Sequence, residues 1–172
     1  GFPGCLPWGM IYVFLNDYFS NDRGMTVQEA TAALTMFGVG GLVGQIFGGW
    51  AGQKLYNIDK RWQCVFMGLT TMVSVFPMLY LLNTEDVGTA GFFFMTLFSG
   101  FMVSMNGPNV RAVLQNVCVP AIRGTAFAVF SLTDDIGKGL GPALVVVFIR
   151  MCDGNRRQAF NIVILFWLFC GA

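Results

Sequence analysis

Apolar residues run through this chain in long stretches parted by short polar breaks. The stretches cover residues 3–19, 27–53, 62–82, 90–117 and 121–149, and a sixth starts near 157. A helix that crosses a bilayer needs roughly 20 residues. The first five stretches meet or approach that length, and the sixth is cut short at Ala172. The breaks are Ser20 to Gly24, Gln53 to Arg61, Asn83 to Asp86, Val119 to Arg123 and Asp153 to Arg157. Such short breaks suit consecutive antiparallel helices. The pattern predicts an all-α, integral membrane, multi-pass bundle: a single six-span domain over 1–172, set in a lipid bilayer.

Composition agrees. The chain is 55% hydrophobic and 11% charged, against about 25% charged in an ordinary soluble domain. Its mean hydropathy is +0.64. A net charge of +1 gives no sign of nucleic-acid binding. With no histidine, the commonest general base and metal ligand is missing, so neither a metal nor a cofactor is expected. The five cysteines are scattered without a CxxC pair and read as thiols in apolar surroundings. The first residue is not Met, and the chain opens and stops within apolar stretches, which reads as a piece of something longer.

Basic residues do not settle orientation. Lys54, Lys60, Arg61 and Arg123 fall on one side and Arg23, Arg150, Arg156 and Arg157 on the other. The acidic breaks after the first and third spans hint that those two face outward. Trp8, Tyr18, Tyr56 and Trp62 lie near span ends and read as interfacial belts. Asn16 and Asp17 read as a cap at the outer end of the first span. Pro77 reads as a simple kink in the third.

Three charges break the fifth span near its middle: Asp134, Asp135 and Lys138. Charge at that depth is costly and usually faces a partner charge, a protein interior or a water-filled path. On a helical wheel Asp134, Gly137, Lys138 and Gly141 share a face, while Asp135 lies about 100° away. Asp134 and Lys138 are four apart, and Asp135 and Lys138 three apart. One lysine cannot neutralise two carboxylates. A proton, a bound cation or a positive partner such as Arg111 on the fourth span closes the balance. The cluster reads either as a coupling site between helices or as a buried salt-bridge network fixing the fifth span to the fourth. On the fourth span, Asn106-Gly107-Pro108-Asn109 invites a break. Asn106 and Asn109 suit a substrate path or, equally, the packing of a kink.

The second span carries Gly40, Gly44, Gly48 and Gly52 on one face, and Gly38, Gly41 and Gly49 widen it. A face without side chains lets another helix come close. With its break it reads GGLVGQIFGGWAGQKLYNIDKRW. This segment resembles the loop signature of the major facilitator superfamily, a glycine-rich helix ending in a turn with an acidic residue and then basic ones. The position after the glycines that is acidic in the signature is Gln53 here, and Asp59 comes later, beside Lys60 and Arg61. NGPNVRAVLQNVCVPAIRGTAFAVFSLTDDIGKGLGP is similar to the fourth-to-fifth or tenth-to-eleventh helix pair of that superfamily, and its spinster-like branch is the nearest. Gly137, Gly141 and Pro142 are similar to part of the antiporter element GxxxGP.

The resemblance implies one six-helix half, by preference the C-terminal one, of a twelve-helix secondary transporter. It implies a cytoplasmic loop after the second span, with Asp59, Lys60 and Arg61 as gating residues. The activity implied is movement of a small organic solute or lipid-like molecule by alternating access, with a second six-helix half as partner. The alternative is a non-transporting scaffold among other membrane subunits, in a respiratory or photosynthetic complex. An enzyme is not expected, because Asp134 and Asp135 are adjacent and point to different faces.

Overall fold

A computed structural model describes residues 2–86 and 88–172. It is all-helical, with no strand among the described residues. The elements are α1 (Phe2–Asp17), which runs into a π-helical turn (Tyr18–Asp22), α2 (Val27–Ile58), α3 (Lys60–Asn83), α4 (Ala90–Ser104), α5 (Asn106–Val117), a 3₁₀ turn (Pro120–Ile122), α6 (Arg123–Met151) and α7 (Arg156–Gly171). Among the described residues three rods are long and apolar enough to cross a membrane: α2, α3 and the joined α4–α5 rod. Helix α6 has the length, with its three charges near the middle. Helices α1 and α7 have 16 residues each, fewer than the roughly 20 a span needs.

Helix starts are marked by side chains that take up the first free N–H groups. Thr26 and Glu29 form a reciprocal capping box at the start of α2, with Thr26 N donating to Glu29 Oε2 at 2.9 Å. At α3, α4 and α7 the side chains of Asp59, Thr89 and Asn155 accept from the N–H groups of Arg61, Phe92 and Gln158, without the reciprocal bond. Between α6 and α7 the chain turns through Asp153 and Gly154, both at positive φ.

Two of the expected breaks are much shorter than the polar pattern implies. Residues 53–58 continue α2, so the nine-residue loop 53–61 reduces to Asp59 alone. This segment holds no proline or glycine to stop a helix. Gln53 bonds Asn57 at 3.1 Å, four residues on, and Lys54 lies 4.1 Å from the Trp50 ring centroid. Likewise Ser20 to Asp22 wind onto the end of α1 as the π turn. The fourth span does break, at Met105, between α4 and α5. Pro108 has no N–H to give the Ser104 carbonyl four residues back, and Ser104 is where α4 ends.

The closest helix pairs are α2 with α4, α1 with α6, and α3 with α7. The first three spans thus pack crosswise on the last three. Glycines allow it. A methyl group on Gly40 would meet the Leu97 carbonyl, one on Gly44 that of Phe101, and one on Gly48 that of Met105. From the other side Gly100 lies against the Phe37 carbonyl. Helices α1 and α6 cross at Gly9 and Gly141, where a methyl group on Gly141 would sit 3.1 Å from the Gly9 Cα.

The apolar core is gathered at one end of the bundle. It joins Met10, Leu15, Tyr18 and Phe19 to Met78, Leu81, Leu82, Phe92, Phe160 and Ile164, all nearly inaccessible. Tyr18, expected in an interfacial belt, is in this core, and its hydroxyl donates to the Leu82 carbonyl at 2.9 Å. Trp8 leaves the belt too: its ring meets those of Phe37 and Trp167 edge-on. The exposed Trp62 stays at the surface.

Candidate functional site

The end of the bundle away from the core is hollow. A cavity of about 670 Å³ lies between the first turns of α1, the first half of α3, the α4–α5 break, α6 and the last turns of α7. Its volume falls within the roughly 300–1,000 Å³ range of small-molecule sites.

Its wall carries the charged pair. Lys138 Nζ donates to Asp134 Oδ2 at 2.5 Å, one helical turn apart on α6. The other carboxylate oxygen accepts from the Cys5 thiol of α1 at 2.8 Å. Both charged side chains are about one-third exposed. The glycine crossing of α1 on α6 brings Cys5 within reach. The cross-helix partner of Asp134 is therefore on α1, not on the fourth span. Helices α5 and α6 touch only slightly, so a salt-bridge network fixing one to the other is not what the geometry contains. Asp135 is exposed, off the cavity wall, and makes no ion pair with Lys138.

Arg111 lines the same cavity from α5. It is exposed, and among the described residues no carboxylate lies within ion-pair distance of it. Asn106 also lines the wall. Its amide is held by α3: Oδ1 accepts from Thr70 Oγ1 at 2.7 Å, and Nδ2 donates to Thr71 Oγ1. Asn109 is elsewhere. It is 1% exposed, donates to the Gly48 and Met105 carbonyls at 2.9 and 3.0 Å, and accepts from Gln63 at 3.1 Å. Gly52 leaves the room its side chain fills. Asn109 thus ties α2, α3 and α5 together.

Of the glycines, Gly40, Gly44, Gly48 and Gly52 face α4 and α5, and Gly137 and Gly141 are buried on α6. Asp59 is held as the α3 cap, its carboxylate accepting from Arg61 N at 2.9 Å. Lys60 and Arg61 are exposed in the first turn of α3. The Asp59–Arg61 contact is thus a helix cap to backbone, not a side-chain latch.

The end opposite the cavity is clamped. Arg156 at the start of α7 reaches Asp17 at 2.5 Å and Asp22 at 3.1 Å, joining α7 to the end of α1. Arg157 donates to the Asn83 side chain and carbonyl at 2.9 and 2.6 Å, and Asn83 also bonds Asn161. Asp17, expected as a simple cap, is half of that bridge.

Sequence reasoning missed Cys5, Gln63 and the aromatic part of the wall, Trp8, Tyr12 and Trp167. A polar Gln63 inside an apolar stretch, and Thr70-Thr71 about two helical turns further on, were signals available in the chain. Cys5 gave none, since its role depends on which helix crosses α6.

A family model described as Major Facilitator Superfamily matches residues 1–171. No curated protein and no solved structure matches the chain.

Proposed function

The chain belongs to the major facilitator superfamily, a family of transporters, and from that premise we propose that it is one six-helix half of a secondary transporter. It moves a small organic solute or lipid-like molecule by alternating access, with a second six-helix half closing the cavity from its open side. The observation that carries this reading is the cavity between the spans with an ion pair on its wall. Charge placed at that depth marks substrate or ion pathways. We assign the half as C-terminal and the spinster-like carriers as the nearest branch, on the motifs of α2 and of α4 to α6.

Asp134 and Lys138 are the coupling pair in this scheme, with Cys5 orienting the carboxylate. Asp135 faces away from the cavity, toward lipid or the second half. Arg111 and Asn106 contribute to the substrate path, and Asn109 supports it from behind. Lys60 and Arg61 at the cavity end are the gating contacts to the second half, on the cytoplasmic side. A non-transporting scaffold is not favoured, since a packing role alone requires no hollow with ionised walls.

Uptake into vesicles from cells producing the protein, screened over organic solutes, tests the proposal. Asp134→Asn is expected to lower uptake at least about tenfold, the scale of one lost charge-assisted hydrogen bond. Asp135→Asn is expected to stay within a factor of about two, as substitutions off such features do. Full activity in Asp134→Asn, or equal losses in both, would remove the pair from the mechanism.

A further inference from the structure

Resting on the transporter reading, we propose that the solute is an organic monoanion with an aromatic or alkyl body, its acidic head held at Arg111. The charges of the cavity wall carry the argument. Asp134 and Lys138 cancel one another across 2.5 Å, and the second carboxylate oxygen of Asp134 is occupied by Cys5. Among the described residues Arg111 has no carboxylate within ion-pair distance, and Asp134 is the only acidic side chain on the wall. The side chains of the described wall, Arg111, Lys138 and Asp134, therefore sum to one positive unit. An exposed guanidinium on the wall of a cavity between membrane spans is open to a counter-charge brought by a ligand, and it offers a planar fork of donors to a carboxylate or a phosphate.

The rest of the wall describes the body of the ligand. Trp8, Tyr12 and Phe130 supply aromatic surface on α1 and α6, and Trp8 stacks on Tyr12 at 5.7 Å between ring centroids. The Asn106 amide is already bonded to Thr70 and Thr71, so it offers little to a sugar-like ligand rich in hydroxyls. A cationic solute meets two like charges, and the one carboxylate there already has two partners.

The test uses the purified full chain in detergent and the tryptophan fluorescence of the cavity wall. The probes are phenylbutyrate, the methyl phosphate diester of phenylpropanol (a monoanion like the carboxylate), phenylbutyramide and phenylbutylamine. One or both acids are expected to bind at least about tenfold tighter than the amide, and the amine weakest. The carboxylate-to-phosphate ratio tells which head group is taken. Arg111→Gln is expected to erase the preference for acid over amide, and Arg111→Lys to keep part of it. Equal binding of acid and amide, tightest binding of the amine, a preference that survives Arg111→Gln, or no binding by any probe overturns the proposal. Uptake measured separately distinguishes the two readings: uptake of a neutral or cationic solute leaves the transporter standing and removes the anion.

Discussion

Asn109 and Asp134 are both polar residues set in apolar helices, and their surroundings give them opposite duties. Asn109 uses its amide entirely within the protein, bonding three helices. Its replacement by leucine leaves the Gly48 carbonyl and the Gln63 amide without that partner, beside a Gln63 Oε1 that already lacks one. The expected cost is about 2–6 kcal/mol, from two buried groups at about 1–3 kcal/mol each. A lower melting temperature in detergent, with the acid-over-amide preference intact in the folded fraction, is the outcome to look for. An unchanged melting temperature would mean the amide network contributes nothing. In the sequence the two asparagines 106 and 109 look alike. Only the α2 glycine face, which opens a seat at Gly52, separates them. The same holds for Asp134 and Asp135. The wheel puts them about 100° apart, but which one meets the cavity depends on where α1 crosses α6.

At the scale of the element, α2 is a helix read on two faces. Its periodic glycines were plain in the sequence, because a spacing of four is itself geometry. Its end was not: the polar letters after Gly52 suggest a loop, yet nothing in them breaks a helix, so α2 runs on to Ile58. Polarity marks where a helix leaves the membrane, and not where it stops. The two faces make a contrasting prediction. Gly38 has open space around it, so Gly38→Ala is expected to be neutral or stabilising by up to about 1 kcal/mol, the helix-propensity difference. Gly44→Ala sets a methyl group on the Phe101 carbonyl, a backbone atom that cannot swing aside. Overpacking of that kind costs about 1–3 kcal/mol or more, so this variant is expected to melt earlier or to fail to give a monodisperse peak on size-exclusion chromatography. Equal behaviour of the two alanines would show that α2 and α4 do not meet on the glycine face.

For the whole molecule, the crosswise pairing of the first three spans with the last three is the part least visible in the chain. Hydropathy orders the spans but carries no information about neighbours, and the one pairing read from the charges, the fifth span on the fourth, is only a slight contact here. The pairing leaves one end full and clamped and the other end hollow. Arg156 clamps the first of these ends through Asp17 and Asp22, and under the alternating-access proposal that contact would hold it shut. Removing it with Arg156→Ala takes away two partly exposed ion pairs, each of about 0–1 kcal/mol, and is expected to bias the equilibrium between the two open ends by up to about thirtyfold. Cysteines already in place report the shift. Cys64 and Cys170 line the cavity, and Cys152 lies beside the clamp at the end of α6. In membranes, a water-soluble maleimide is expected to label Cys152 faster and Cys64 and Cys170 more slowly in Arg156→Ala than in the parent. Opposite changes at the two ends are the signature of one coupled motion, whereas a gain at Cys152 alone would mean local fraying of α7. Unchanged rates at both ends would show that the clamp has no part in closing the outer side. The expected change also shrinks at high salt in the parent, since screening weakens the same pairs.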